Sequence, residues 1–177
     1  DSYQVTITPV KAGFSLLYAV TRNKRSSEEK TVMRQLLDKG LAPTGPAIAL
    51  LDVDSLGDGN LTELALPDGG SLIGIVSSAF RNQPGEKVHL LRLDDTGRVA
   101  SVVQIASEGG AALPRMLATE RGILLGWLEG LDGVRAMLAT IDDEGNVLRA
   151  PHVIGEVGTR FGGLELSRLR GVPTMAF

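Results

Sequence analysis

An all-β chain built from repeated four-stranded sheets is what this sequence predicts, on three observations. A glycine that follows one apolar run and opens the next recurs at Gly13, Gly70, Gly122 and Gly171, with spacings of 57, 52 and 49 residues. An Asp-bearing turn recurs in phase with it, as LLDKG at 36–40, LDDTG at 93–97 and IDDEG at 141–145. The runs after the first three glycines, LLYAV, LIGIV and ILLGWL, are apolar at consecutive positions, the pattern of strands covered on both faces. Self-similarity at about forty to fifty residues, made of short apolar runs and Gly/Asp turns, marks β-propeller blades, whereas helical repeats of that period need longer amphipathic stretches. The predicted architecture is a β-propeller domain over 1–177 with about three and a half four-stranded antiparallel blades, part of a larger ring.

The first repeat, about 3–53, reads as VTITPV, FSLLYAV, KTVMRQLL, a turn at Asp38-Lys39-Gly40 and a fourth strand from Leu41 to Leu51. Pro43 and Pro46 fit that outermost strand, where a missing N–H costs little. The second, about 60–107, reads as LTELAL, SLIGIVSSAF, KVHLLRL and RVASVVQIA, with Gly97 expected to supply positive φ in the last hairpin. The third, about 111–155, reads as PRMLAT, ILLGWL, VRAMLATI and NVLRAPHVI. The fourth, about 161–177, has only GLELSRLRG and VPTMAF, the first two strands of a blade. Gly74 and Gly126 take equivalent places in their middle strands and would let sheets approach closely. Tyr18, Ile75 and Trp127, at the next position, read as core.

Composition excludes several function classes. The 177 residues carry a net charge of −3 and no basic-aromatic motif, so there is no electrostatic footprint for nucleic acid. No segment approaches the roughly 20 apolar residues of a membrane helix. Cysteine is absent, which removes disulfides, thiolate catalysis and cysteine metal sites together. Arginine outnumbers lysine, and with abundant Ala, Gly and Leu this fits a GC-rich bacterial gene. A P-loop, a dinucleotide glycine fingerprint, a nucleophile elbow and a zinc helix are all missing. Of the two histidines, His89 falls inside a third strand and reads as packed or at an edge. His152 follows Pro151 in an outermost strand and reads as exposed.

The chain opens at Asp1 with neither methionine nor a leader-like segment, so it is expected to be processed or a piece of something longer. An unclosed ring leaves blade faces as apolar patches. Additional blades are therefore expected from a parent chain, another subunit or a second copy.

As a whole, the chain resembles the degenerate β-propeller repeats of bacterial secreted and surface proteins, which implies an extracytoplasmic location. It lacks the Trp-Asp signature of WD repeats and the Ser-x-Asp-x-Gly-x-Thr-Trp box of sialidases. The segment Asp52-Val-Asp54-Ser-Leu-Gly-Asp58-Gly-Asn60-Leu-Thr-Glu63-Leu is similar to the calcium loops of integrin-type (FG-GAP) propeller repeats. That resemblance implies calcium, with Asp52, Asp54, Asp58 and Asn60 as oxygen ligands; apart from it no cofactor is expected. Ser55, Leu56 and Gly57 interrupt the alternation of the family pattern, and a solvated loop between blades is the competing reading.

In a propeller the innermost strand of each blade lines the central channel. Thr6, Glu63, Arg115 and Glu165 fall at nearly matching places in those strands and are the candidates for a ligand-facing ring. The alternative is that they only solvate the channel. The charged stretch from Arg22 to Lys30 reads as a long loop suited to partner contact. With no catalytic cluster in the sequence, the expected function is a noncatalytic scaffold that binds a protein or glycan. The alternative is part of a propeller enzyme, a hydrolase or lyase, whose active site is completed by blades outside this chain.

Overall fold

The computed structural model describes residues 5–21, 30–53, 56, 60–77, 87–105, 110–130, 134–158 and 163–177. Blade 1 comprises β1 (Val5–Val10), β2 (Gly13–Thr21), β3 (Lys30–Leu37) and β4 (Ile48–Val53). Blade 2 comprises β5 (Leu61–Ala65), β6 (Ser71–Ser77), β7 (Lys87–Leu93) and β8 (Val99–Ile105). Blade 3 comprises β9 (Ala111–Thr119), β10 (Gly122–Glu129), β11 (Val134–Ile141) and β12 (Val147–Gly158). A half-blade follows, with β13 (Glu165–Leu169) and β14 (Val172–Ala176). Each sheet is a simple antiparallel meander in chain order, and the first strands β1, β5, β9 and β13 lie side by side. That is the radial arrangement of a β-propeller.

The two sequence registers have backbone causes. A Cβ at Gly13, Gly70 or Gly122 would run into the carbonyl oxygen that ends the third strand of its own blade, that of Leu37, Leu93 or Ile141. Glycine is required there because the second strand starts directly beneath that carbonyl. The Asp register is an Asx-type turn. Asp38, Asp94 and Asp142 each accept, through Oδ1, the backbone N–H groups two and four residues on, at 2.7–3.0 Å. In the exposed Asp94 the Thr96 hydroxyl, with the Arg98 and Thr96 amides, holds the carboxyl below its usual range.

Three residues after the aspartate, Gly97 and Gly145 adopt φ of 83° and 86°, as the turn requires. In blade 1 that place belongs to Leu41 at φ 66°, because Gly40 stands one position too early. Leu41 is 58% exposed, so its side chain returns little packing for the left-handed backbone. Leu41→Gly is expected to stabilise the protein by about 1 kcal/mol, seen as a raised urea midpoint. An unchanged or lowered midpoint would contradict this account of the turn. The fourth strand of blade 1 also starts later than the sequence suggested, at Ile48. Pro43 makes a single bridge to Leu37, and the proline-bearing segment spans the gap instead of joining the ladder. In the half-blade, Arg170 (φ 51°) and Gly171 (φ 82°) form the two-residue connection. Gly171 therefore lies in the turn, and Val172 takes the register position.

The core lies between blades. Leu17 and Val32 of blade 1 pack on Leu61, Ile73, Ile75 and Leu91 of blade 2. Leu72, Val76 and Leu90 of blade 2 pack on Ile123, Leu125 and Trp127 of blade 3. Leu128 and Ala136 of blade 3 meet Leu164 and Met175 at the half-blade. All seven residues of β6 are buried, as its unbroken apolar run predicts. A Cβ on Gly126 would sit 2.5 Å from Met175 Cε, and one on Gly74 2.8 Å from Thr62 Cγ2 and 3.6 Å from Pro114, so both glycines permit close sheet approach. Ile75 and Trp127 face the preceding blade; Tyr18, at the equivalent place, is half-buried on a face that none of the described blades covers.

Candidate functional site

Four inner-strand positions share one register. Thr6 pairs with Leu17, Thr62 with Gly74, Arg115 with Gly126 and Glu165 with Ala176. Side chains at these positions point along the ring toward the following blade. The half-buried Thr6 hydroxyl donates to the Leu61 carbonyl of β5 at 3.3 Å, and Thr8 donates to the Glu63 carbonyl at 3.4 Å. These bonds stitch β1 to β5. Arg115 is half-buried and faces the half-blade, and its guanidinium also donates to the Pro114 carbonyl at 2.8 Å. Burial lowers its pKa from the ordinary value, and the negative charge of Glu165 opposes that shift. Glu165, at the start of β13, is exposed. Arg115 and Glu165 therefore stand on adjacent inner strands within reach of each other's charge, with the Glu165 side chain turned toward the blade that follows.

Glu63 is one residue out of this register. It pairs with Ile73 and so faces blade 1, since a one-residue step reverses the face. There the Arg34 guanidinium donates to its Oε1 at 2.9 Å, with both side chains almost wholly buried. Arg34 also donates to the hydroxyls of Ser15 at 2.9 Å and Ser71 at 3.1 Å. Glu63 Oε2 is buried without a hydrogen-bond partner among the described residues. The sequence reading missed Arg34, although its parity with Val32 inside KTVMRQLL marked it as inward-facing. It also missed Glu129, which is 2% exposed and accepts the Trp127 indole N–H at 3.0 Å.

Of the implied calcium ligands, Asp54 and Asp58 lie outside the described residues, as does most of the charged stretch, 22–29. Asp52 accepts the Thr31 hydroxyl at 2.7 Å. Asn60 Oδ1 accepts the Leu113 amide at 2.9 Å. Leu113 and Pro114 together oppose Trp127 in a β-bulge, and Asn60 from the neighbouring blade satisfies the N–H that the bulge leaves out of the ladder. No group of three or more His, Asp or Glu suited to a metal occurs among the described residues.

His89 is 3% exposed on β7, in register with Ile75, while His152 is half-buried on β12. Desolvation, reinforced by the charge of Lys87, lowers the His89 pKa to about 4. The folded protein therefore refuses a proton that the unfolded chain accepts below about 6.5. This histidine costs nothing above that pH, and its penalty grows as pH falls from about 6.5 to about 4. It saturates below at a total on the order of 3 kcal/mol. His89→Gln is expected to remove that part of the acid sensitivity, measured as the urea unfolding free energy at several pH values. An identical slope in variant and wild type would refute the assignment.

No family model matches the sequence, and no curated protein matches it. Among solved structures, the chain is similar to xylan beta-1,4-xylosidase from Bacillus halodurans C-125, with a TM-score of 0.52 and 14% identity over 86% of this chain and 30% of the xylosidase. It is also similar to the GH43 endo-arabinanase from Bacillus licheniformis, with a TM-score of 0.54 and 16% identity over 97% of this chain and 71% of the arabinanase. At these identities the likeness is one of fold, and the fold is a β-propeller. Both proteins are enzymes, which corrects the expectation of a noncatalytic binding scaffold and favours the propeller-enzyme alternative.

Proposed function

We propose that this chain forms part of a propeller enzyme that hydrolyses glycosidic bonds in a plant-type polysaccharide such as xylan or arabinan. The observation that carries this reading is the match of nearly the whole chain to the blades of an endo-arabinanase. Glycoside hydrolysis commonly needs two carboxyl groups flanking the scissile bond, about 5–5.5 Å apart for retention and about 6.5–9.5 Å apart for inversion. Of the two inner-strand glutamates named above, Glu63 is committed to Arg34 inside a blade junction. Glu165 is exposed at the mouth of β13 beside Arg115. Of these two, Glu165 is therefore the catalytic carboxylate, with Arg115 as its positioning cation. The second carboxyl group comes from blades beyond those described, which also close the ring.

The test is reducing-end release from xylan and arabinan by the full-length protein. Glu165→Gln is expected to lower the rate by about 10²–10⁴-fold with an unchanged Tm, because the side chain is exposed. No hydrolysis of either polymer by the wild type, or full activity in the variant, would overturn the reading.

A further inference from the structure

A groove at the opposite end of the inner strands from Glu165 separates blade 3 from the half-blade. Its volume is about 440 Å³, within the size range of small-ligand sites. One wall is a cross-strand row on blade 3, in which Leu124 pairs with Thr140 and Thr140 with Arg149. The other wall is the Arg168–Pro173 pair of the half-blade. The β9–β10 turn, with Glu120 and Arg121, closes one end. Arginines from three separate elements thus line one groove against a single acid, in a chain whose net charge is −3.

The neighbouring junction shows what such a position requires. Arg92 occupies in blade 2 the place that Thr140 occupies in blade 3, two residues before the turn aspartate. It is held by the Asp68 carboxylate, with the Glu144 carboxylate 4.0 Å away. In the groove Glu120, at the place of Asp68, is one acid against three arginines. Among the described residues, neither Arg121 nor Arg149 makes an ion pair or a side-chain hydrogen bond. Arg168 is fixed by donating to the Ala118 carbonyl at 2.7 Å, which orients its guanidinium across the groove. Guanidinium groups lining one groove repel one another unless an anion joins them, and their planar forks match carboxylate or phosphate oxygens. Between them Leu124 and Pro173 supply an apolar floor suited to the C–H face of a sugar ring.

We infer that this groove is a binding site for an anionic sugar, its ring on Leu124 and Pro173 and its carboxylate or phosphate held by Arg121, Arg149 and Arg168. The inference goes beyond the catalytic reading and does not depend on it. Isothermal titration calorimetry of the protein with glucuronate, glucose 6-phosphate, inorganic phosphate and glucose tests it. Saturable binding of glucuronate or of glucose 6-phosphate is expected, weakening with salt, and the tighter of the two assigns the anionic group. Arg121→Gln and Arg149→Gln should each weaken that binding about tenfold without moving Tm, since both side chains are exposed. Three results would overturn the site: neither anionic sugar binds, glucose or bare phosphate binds as tightly as the anionic sugar, or the Arg121→Gln/Arg149→Gln double variant binds like wild type.

Discussion

Replacing Arg34 with alanine is expected to lower the unfolding free energy by about 3–5 kcal/mol. The loss comes mainly from what remains: Glu63, its carboxylate sealed between blades 1 and 2, is left with no guanidinium to face. Glu63→Ala should cost a similar amount by stranding Arg34, apart from its bonds to Ser15 and Ser71. The double variant Arg34→Met/Glu63→Leu, which fills the junction with apolar side chains of comparable size, should recover most of the loss. Urea unfolding of all four proteins is the test. Single variants costing under about 1 kcal/mol would show that the pair is solvated.

Trp127→Ala is expected to cost about 3–5 kcal/mol. Trp127 is fully buried in the junction of blades 2 and 3, and its removal leaves a cavity that two packed sheets cannot easily collapse. Trp127→Phe separates packing from polarity. It keeps an aromatic ring but takes away the donor to Glu129 Oε2, leaving Arg135 at 3.9 Å on the other oxygen. A loss of about 1–3 kcal/mol is expected for that change alone. Because this is the only tryptophan, wild-type fluorescence reports the junction directly, and circular dichroism follows the variants. If Trp127→Phe matched wild type, the Glu129 bond would carry no net stability.

What the sequence disclosed and what it hid follow from the same physics. The register glycines and turn aspartates were legible because each answers a local backbone demand: a carbonyl that forbids a Cβ at Gly13, Gly70 and Gly122, and orphan amides that need Oδ1 at Asp38, Asp94 and Asp142. Blade identity followed from those demands. Side-chain direction in the inner strands did not, because a short strand such as LTELA carries no regular alternation to set it. Thus Thr6, Arg115 and Glu165 share a register while Glu63, one residue away from it, turns into a junction. Arg34 and Glu129 were hidden for a related reason: a buried charge inside an apolar strand declares its partner only when the neighbouring blade is in place. Activity was least legible, since one propeller fold hosts many chemistries.

The three apolar clusters divide cleanly, each spanning two neighbouring blades and no more. Such a molecule behaves as a one-dimensional array, its stability a sum of blade terms and nearest-neighbour couplings. Blade 2 is coupled on both sides and carries the wholly buried β6, so its amides open only when the array opens. Blade 1 and the half-blade are each coupled to this chain on one side, and their strands can be released by the loss of a single junction. Any surface that seals the outer face of blade 1 or of the half-blade therefore raises the cooperativity of the whole without touching a residue in the middle.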